Sequence, residues 1–120
     1  MSATTPRVWV LAWEDHAYVD GPDGDHLWLD TPAWVAWLDA ATTTRFAYPL
    51  FDPAKGYIIG VMTVRKERRV RGGRYWTAYR RADGHLRKAY VGSTAAVTQT
   101  RLRALARTFM ETSGGTDTDQ

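Results

Sequence analysis

The sequence predicts an α+β domain, and three observations carry that prediction. Short β-branched and aromatic runs separated by turn signals come first and predict strands. Apolar residues at helical spacing then recur twice, around Trp34–Leu38 and Leu102–Phe109. Between them lies Tyr57–Val91, three strand-like segments broken at Arg71-Gly72-Gly73 and Asp83-Gly84, the pattern of an antiparallel meander.

Met1–Pro6 is small and polar and predicts a loose arm. Arg7–Trp13 (RVWVLAW) reads as a strand, Glu14-Asp15-His16 as a turn, Ala17–Asp20 as a return strand and His26–Asp30 (HLWLD) as a third. Gly21-Pro22-Asp23-Gly24 is a strong turn signal between the last two. Thr31-Pro32 opens a helix, because Thr supplies a capping oxygen and Pro at the first helical position loses no needed N–H. Trp34, Trp37, Leu38 and Ala41 fall on one face of it, and Thr42-Thr43-Thr44 ends it. Arg45–Gly56, with two prolines and Asp52, predicts a loop with at most a short strand at Phe46–Tyr48.

The meander then runs Tyr57–Val70, Arg74–Ala82 and His85–Val91, and Gly92-Ser93 breaks it. A C-terminal helix follows, nucleated near Thr94 or capped by Thr98, with Leu102, Leu105 and Phe109 as its apolar stripe. Ser113–Gln120 is Gly- and Thr-rich and predicts a disordered tail. The expectation is one domain over residues 1–112, with a sheet-plus-helix core at 57–110.

Register divides the meander into two faces. A two-residue Asp83-Gly84 turn pairs Ala82 with His85, Tyr79 with Lys88, Ala78 with Ala89, Thr77 with Tyr90 and Trp76 with Val91. Side chains alternate across a strand. Trp76, Ala78, Ala89 and Val91 therefore share an apolar face, and Tyr75, Thr77, Tyr79, Arg81, Lys88 and Tyr90 share a polar one. A three-residue Arg71-Gly72-Gly73 loop sets Arg68 opposite Trp76. It adds Met62 and Val64 to the apolar face, and Thr63, Arg65 and Glu67 to the polar one. The C-terminal helix is expected on the apolar face.

Charge singles out the same segment. The chain of 120 residues carries a net +3, but Arg65–Lys88 holds ten Lys/Arg against Glu67 and Asp83. Residues 1–64 hold three basic and eight acidic residues, and residues 89–120 three of each, so the segments carry −5, +8 and 0. Such a focused patch suits a polyanion. Lys and Arg would neutralise phosphates, and Tyr and Thr hydroxyls can contact phosphate or base edges. The candidate nucleic-acid-binding set is Thr63, Arg65, Lys66, Arg68, Arg69, Arg71, Arg74, Tyr75, Thr77, Tyr79, Arg81, Arg87 and Lys88.

The six Trp (Trp9, Trp13, Trp28, Trp34, Trp37 and Trp76) are expected in the core. Tyr75, Tyr79 and Tyr90 either stack on bases or pack beneath the N-terminal strands. His16, His26 and His85 are scattered near turns, which argues against a metal site. Asp20, Asp23 and Asp25 lack the spacing and final Glu of a calcium loop. No phosphate loop, nucleophile elbow or carboxylate pair stands out, so a non-enzymatic protein without cofactor or small-molecule substrate is expected. The absence of cysteine removes disulfides and thiolate metal sites. With no secretory leader or membrane span in the sequence, and no basic amphipathic helix, the expected location is cytoplasmic and no membrane partner is expected.

Several motifs fall in a fixed order: Trp37-Leu38 with Ala41-Thr42, Lys66-Glu67 with Arg71-Gly72-Gly73, Tyr75-Trp76 with Ala78-Tyr79, Arg87-Lys88 with Tyr90-Val91-Gly92, and Thr98 with Arg101-Leu102. Over roughly residues 7–107 the chain resembles the N-terminal module of bacterial MalT-like, LuxR-type transcriptional regulators. Phe51–Ile59 reads as an insertion relative to that module, and Val91 stands where Leu is usual. The ATPase and helix-turn-helix regions of those regulators lie outside the resemblance, so their activity is not carried over whole. The strand–strand–strand–helix order is also similar to arm-type and AP2-like DNA-binding domains, which lay an open sheet face in the major groove; this is a fold-level analogy.

The resulting expectation is a small bacterial DNA-binding protein, a transcription-related or accessory factor, contacting duplex DNA through the sheet face and the Arg71 hairpin. The alternatives are a protein-interaction module that docks an acidic partner or self-associates through the same patch, and an RNA or single-strand binder.

Overall fold

The computed structural model describes residues 5–11, 16–20, 25–52, 54–68, 70–82 and 84–113. The first three strands, β1 (Val8–Leu11), β2 (His16–Asp20) and β3 (His26–Trp28), form an antiparallel meander. Helix α1 (Pro32–Asp39) follows, and then β4 (Arg45–Asp52), β5 (Tyr57–Arg68), β6 (Arg74–Ala82) and β7 (His85–Gly92) make a second antiparallel sheet in that order. A 3-10 turn at Thr94–Ala96 leads into α2 (Gln99–Ser113). The fold is α+β.

Alternation explains the small sheet. Val8, Ala17, Val19 and Leu29 are buried on its inner side, and Leu27 and Val10 pack against them. Thr31 caps α1 by accepting from the Trp34 N–H at 3.2 Å, with Pro32 at the first helical position. Replacing such a cap by Ala costs roughly 1 kcal/mol. Trp34 and Leu38 are the buried positions of α1. The helix ends at Asp39, two residues short of Ala41, which the apolar spacing places on its face, and Ala41 is exposed.

Arg45–Asp52 is an eight-residue strand, where the sequence suggested mainly loop. Pro49, within the strand, is what suggested a loop. Pro49 lies on the edge strand of the large sheet and pairs with Val61. The Ala47 N–H, two residues earlier, points away from β5 and donates to the Pro6 carbonyl at 2.8 Å. Pro49 has the same parity, so its missing N–H costs no bond to β5. The same edge carries a parallel bridge between Arg7 and Ala47, which attaches the small sheet to the large one.

Helix α2 covers one side of the large sheet. Leu102, Leu105, Ala106 and Phe109 meet a surface built from Phe46, Tyr48, Leu50, Met62, Val64, Trp76, Ala78 and Val91. Thr98 caps this helix, accepting from the Arg101 N–H at 3.2 Å. Polar threads cross the core. The Trp34 indole donates to the Val97 carbonyl at 2.8 Å, the Tyr48 hydroxyl donates to Oε1 of Gln99 at 2.9 Å, and the Gln99 N–H donates to Asp30 at 3.0 Å. Trp34 stacks on Trp37, its edge meets Phe46, and Phe46 leans on Trp76. No helix among the described residues is long and apolar enough to cross a membrane.

The expected turns around Glu14-Asp15 and Gly21–Gly24, Trp13, Arg69, Asp83, the start of the N-terminal arm at residues 1–4 and the tail from residue 114 lie outside the described residues. Ser113, expected in the tail, is the last residue of α2.

Candidate nucleic-acid interface

The site is made by β5, β6 and β7. β6 and β7 pair Ala82–His85, Tyr79–Lys88, Ala78–Ala89 and Thr77–Tyr90. A bulge follows between Trp76 and Thr77, so Trp76 sits opposite Gly92 and not Val91. β5 and β6 pair Arg68 with Arg74 and Lys66 with Trp76. The connection is therefore five residues, Arg69–Gly73, and not the expected three. A shift of two residues preserves parity, so every side chain stays on its expected face. Gly72 and Gly73 both adopt positive φ, 91° and 77°, which lets the longer turn close.

The polar face brings together Thr63, Arg65 and Glu67 of β5, Tyr75, Thr77, Tyr79 and Arg81 of β6, and Lys88 and Tyr90 of β7. Glu67 is its hub. It accepts from the Thr77 hydroxyl at 2.9 Å and from the Tyr79 hydroxyl at 2.5 Å. The Arg65 guanidinium lies over the Tyr79 ring, 5.5 Å from its centroid, and Tyr75 leans on Tyr90 at 5.8 Å. These contacts hold the Glu67 carboxyl below its ordinary pKa, chiefly through the Tyr79 bond, and raise the Tyr79 phenol through the same bond.

Arg65, Arg81 and Lys88 are exposed and Tyr90 is half-exposed, so this face is open. The small sheet joins at β4, on the edge remote from β6 and β7, and α2 sits on the other side. Tyr75 and Tyr79 are half-buried by one another's neighbours on the face itself, and Thr77 is buried.

The thirteen candidates do not form one surface. Thr63, Arg65, Tyr75, Thr77, Tyr79, Arg81 and Lys88 share the polar face. Lys66, Arg68, Arg74 and Arg87 lie on the reverse face by strand parity, and Arg71 is exposed at the turn. Arg69 lies outside the described residues. Lys66 is engaged: its ammonium donates to the Ala40 carbonyl at 3.0 Å and lies 5.4 Å from the Trp76 ring centroid. Burial and the nearby Arg74 charge lower its pKa, against the pull of Asp39. Arg87 pairs with Arg80, whose Nε is buried without a partner among the described residues. Arg101, outside the candidate set, is also structural, donating to the carbonyls of Tyr90 and Val91.

The small sheet holds a surface that the expectation of an all-core Trp set missed. Trp34 and Trp76 are fully buried and Trp37 is partly buried, but Trp9 and Trp28 are 41% and 38% exposed. Trp9, Tyr18 and Trp28 are paired in register across β1, β2 and β3. Arg7 lies 4.8 Å from the Trp9 ring centroid, and Tyr18 contacts both His26 and Trp28. The signal was present as alternation: Val8 and Val10 face in, so Trp9 between them faces out.

Among the described residues no three His, Asp or Glu converge as a metal site. Comparison with protein-family models, curated proteins and solved structures finds no match for this chain.

Proposed function

We propose that this chain binds duplex DNA, without catalysis, through the open polar face of β5–β7 and the adjoining β5–β6 turn, as a transcription-related or accessory factor. The observation that carries the reading is the exposure of Arg65, Arg81 and Lys88 on one face of a sheet stiffened by the Glu67 hub. A two-stranded ribbon fits the major groove, about 12 Å wide. The fold-level similarity to arm-type and AP2-like domains, which lay an open sheet face in the major groove, points the same way.

The hub refines the roles. Thr77 and Tyr79 hydroxyls are committed to Glu67, so they order the face, and the phosphate contacts fall to Arg65, Arg81, Lys88 and Arg71. The test is duplex binding across a salt series. Arg65→Ala, Arg81→Ala and Lys88→Ala should each lower the salt slope by about one unit. No binding of the wild-type chain to duplex at low salt would sink the reading. Tighter binding to single-stranded DNA or RNA in competition would replace it with the single-strand alternative.

The Trp9–Tyr18–Trp28 row favours a second reading, a protein contact on the small sheet. Exposed aromatics are enriched at interfaces. Trp9→Ala and Trp28→Ala should then abolish partner or self-association while leaving duplex binding intact.

A further inference from the structure

The reverse side of the β5–β6 hairpin carries charge that the polar face does not use. Arg68 and Arg74 are direct cross-strand partners, a like-charge pair that is unfavourable without an anion nearby. They line a cleft of about 800 Å³ with Gly72, Gly73, Asp39, Ser93 and Thr94. Lys66, on the same face of β5 as Arg68, is anchored to the Ala40 carbonyl. Two guanidiniums in the cleft lining thus face one carboxylate, Asp39.

The opposite wall supplies neutral donors. The Trp76 indole donates to Oγ1 of Thr94 at 3.2 Å, which leaves the Thr94 O–H proton for another acceptor. Ser93 precedes the 3-10 turn, yet its hydroxyl makes no capping bond. Gly72 and Gly73 have no side chain, and the space beside each is open, so an anion can approach the backbone there. Two guanidiniums with hydroxyl donors opposite are the chemistry of phosphate recognition.

We propose that this cleft is a phosphate-binding site. Resting on the duplex reading above, its occupant is a phosphodiester of the second backbone, so the hairpin enters a groove and is gripped from both sides. A free phosphoryl compound offers the same chemistry, and the two sources are separable.

The experiment uses the full chain with two probes. Inorganic pyrophosphate is titrated while the Arg Nε–Hε NMR signals are followed. Saturable shifts of Arg68 and Arg74 are expected, together with shifts of the Ser93 and Thr94 backbone amides that line the cleft and that should stay unmoved in Arg68→Ala/Arg74→Ala. Duplex binding is then measured against salt for that double variant and for Arg65→Ala/Lys88→Ala. Both should lose about two units of slope. If only the polar-face variant loses slope and pyrophosphate moves nothing at Arg68 or Arg74, the cleft proposal is overturned while the duplex reading stands. If pyrophosphate binds but the wild-type chain ignores duplex, the cleft holds a free phosphoryl ligand and the duplex reading falls. Cooperative unfolding of both double variants at the wild-type urea midpoint excludes a folding defect, as expected for Arg65, Arg68, Arg74 and Lys88, which are all exposed.

Discussion

The Tyr79 hydroxyl donates to Oε2 of Glu67 at 2.5 Å, linking neighbouring strands on the open face of the large sheet. Thr77 holds the other carboxylate oxygen. An acid at the centre of a basic face is therefore a scaffold element, fixing the Tyr79 ring beneath the Arg65 guanidinium.

That bond makes stability depend on pH at both ends. Glu67 titrates below its ordinary value, so its contribution is full above about pH 4.3 and is lost as pH falls through the lowered folded value. Tyr79 titrates above its ordinary value, so its contribution is full below about pH 10 and is lost as pH rises through the raised one. The same bond is the largest cause of both shifts and is counted once. Tyr79→Phe should cost roughly 1 kcal/mol near neutrality, below the usual range for a charged hydrogen bond because the site is half-exposed and solvent screens it. The urea-midpoint gap between wild type and variant should close at acid and alkaline extremes. A gap that is constant with pH would contradict the assignment.

The faces of the meander were legible because period two survives an even offset: the β5–β6 turn is two residues longer than expected, yet Val64 and Arg65 stay where alternation put them. The strand at Arg45–Asp52 was not legible, since Pro49 is tolerated only because it faces away from β5 on an edge, a tertiary fact. The division of the basic residues was partly legible. Strand parity alone separates Arg65 from Lys66, and Glu67 is the one acid on the same face as Thr77 and Tyr79, which hinted at their engagement. What parity could not show is that α1 ends where Lys66 can reach the Ala40 carbonyl.

The buried Tyr48–Gln99 bond ties β4 to the start of α2. Gln99 already has Nε2 buried without a partner among the described residues. Tyr48→Phe strands its carbonyl oxygen as well and should cost about 1–3 kcal/mol. Tyr48→Phe combined with Gln99→Leu removes both polar groups and should recover part of that loss. Thermal or urea unfolding of the two variants checks the order; a double variant no more stable than Tyr48→Phe alone would contradict it.

Gly92 closes β7 at φ 130°, and a Cβ there would lie 2.8 Å from the Cβ of Ala96. Both the backbone and the 3-10 turn resist a side chain at this point. Gly92→Ala should destabilise by roughly 2 kcal/mol, within the range for strained backbone. Adding Ala96→Gly relieves the contact but not the φ, so rescue should be incomplete. Full rescue would show that only the contact matters.

Arg81 and Arg87 separate the proposed interface from the charge around it. Arg81 pairs with Leu86 and points to the polar face, whereas Arg87 pairs with Arg80 and points to the reverse face, away from the cleft at the other end of the hairpin. Both are exposed, so neither substitution should disturb folding. Net charge changes equally in the two variants, which removes long-range attraction as an explanation for any difference. If the polar face meets the duplex, Arg81→Ala weakens binding several-fold and lowers the salt slope by about one unit, and Arg87→Ala leaves the slope unchanged. Equal losses from both would mean that only overall charge attracts the duplex, and the polar face would lose its claim to be the interface.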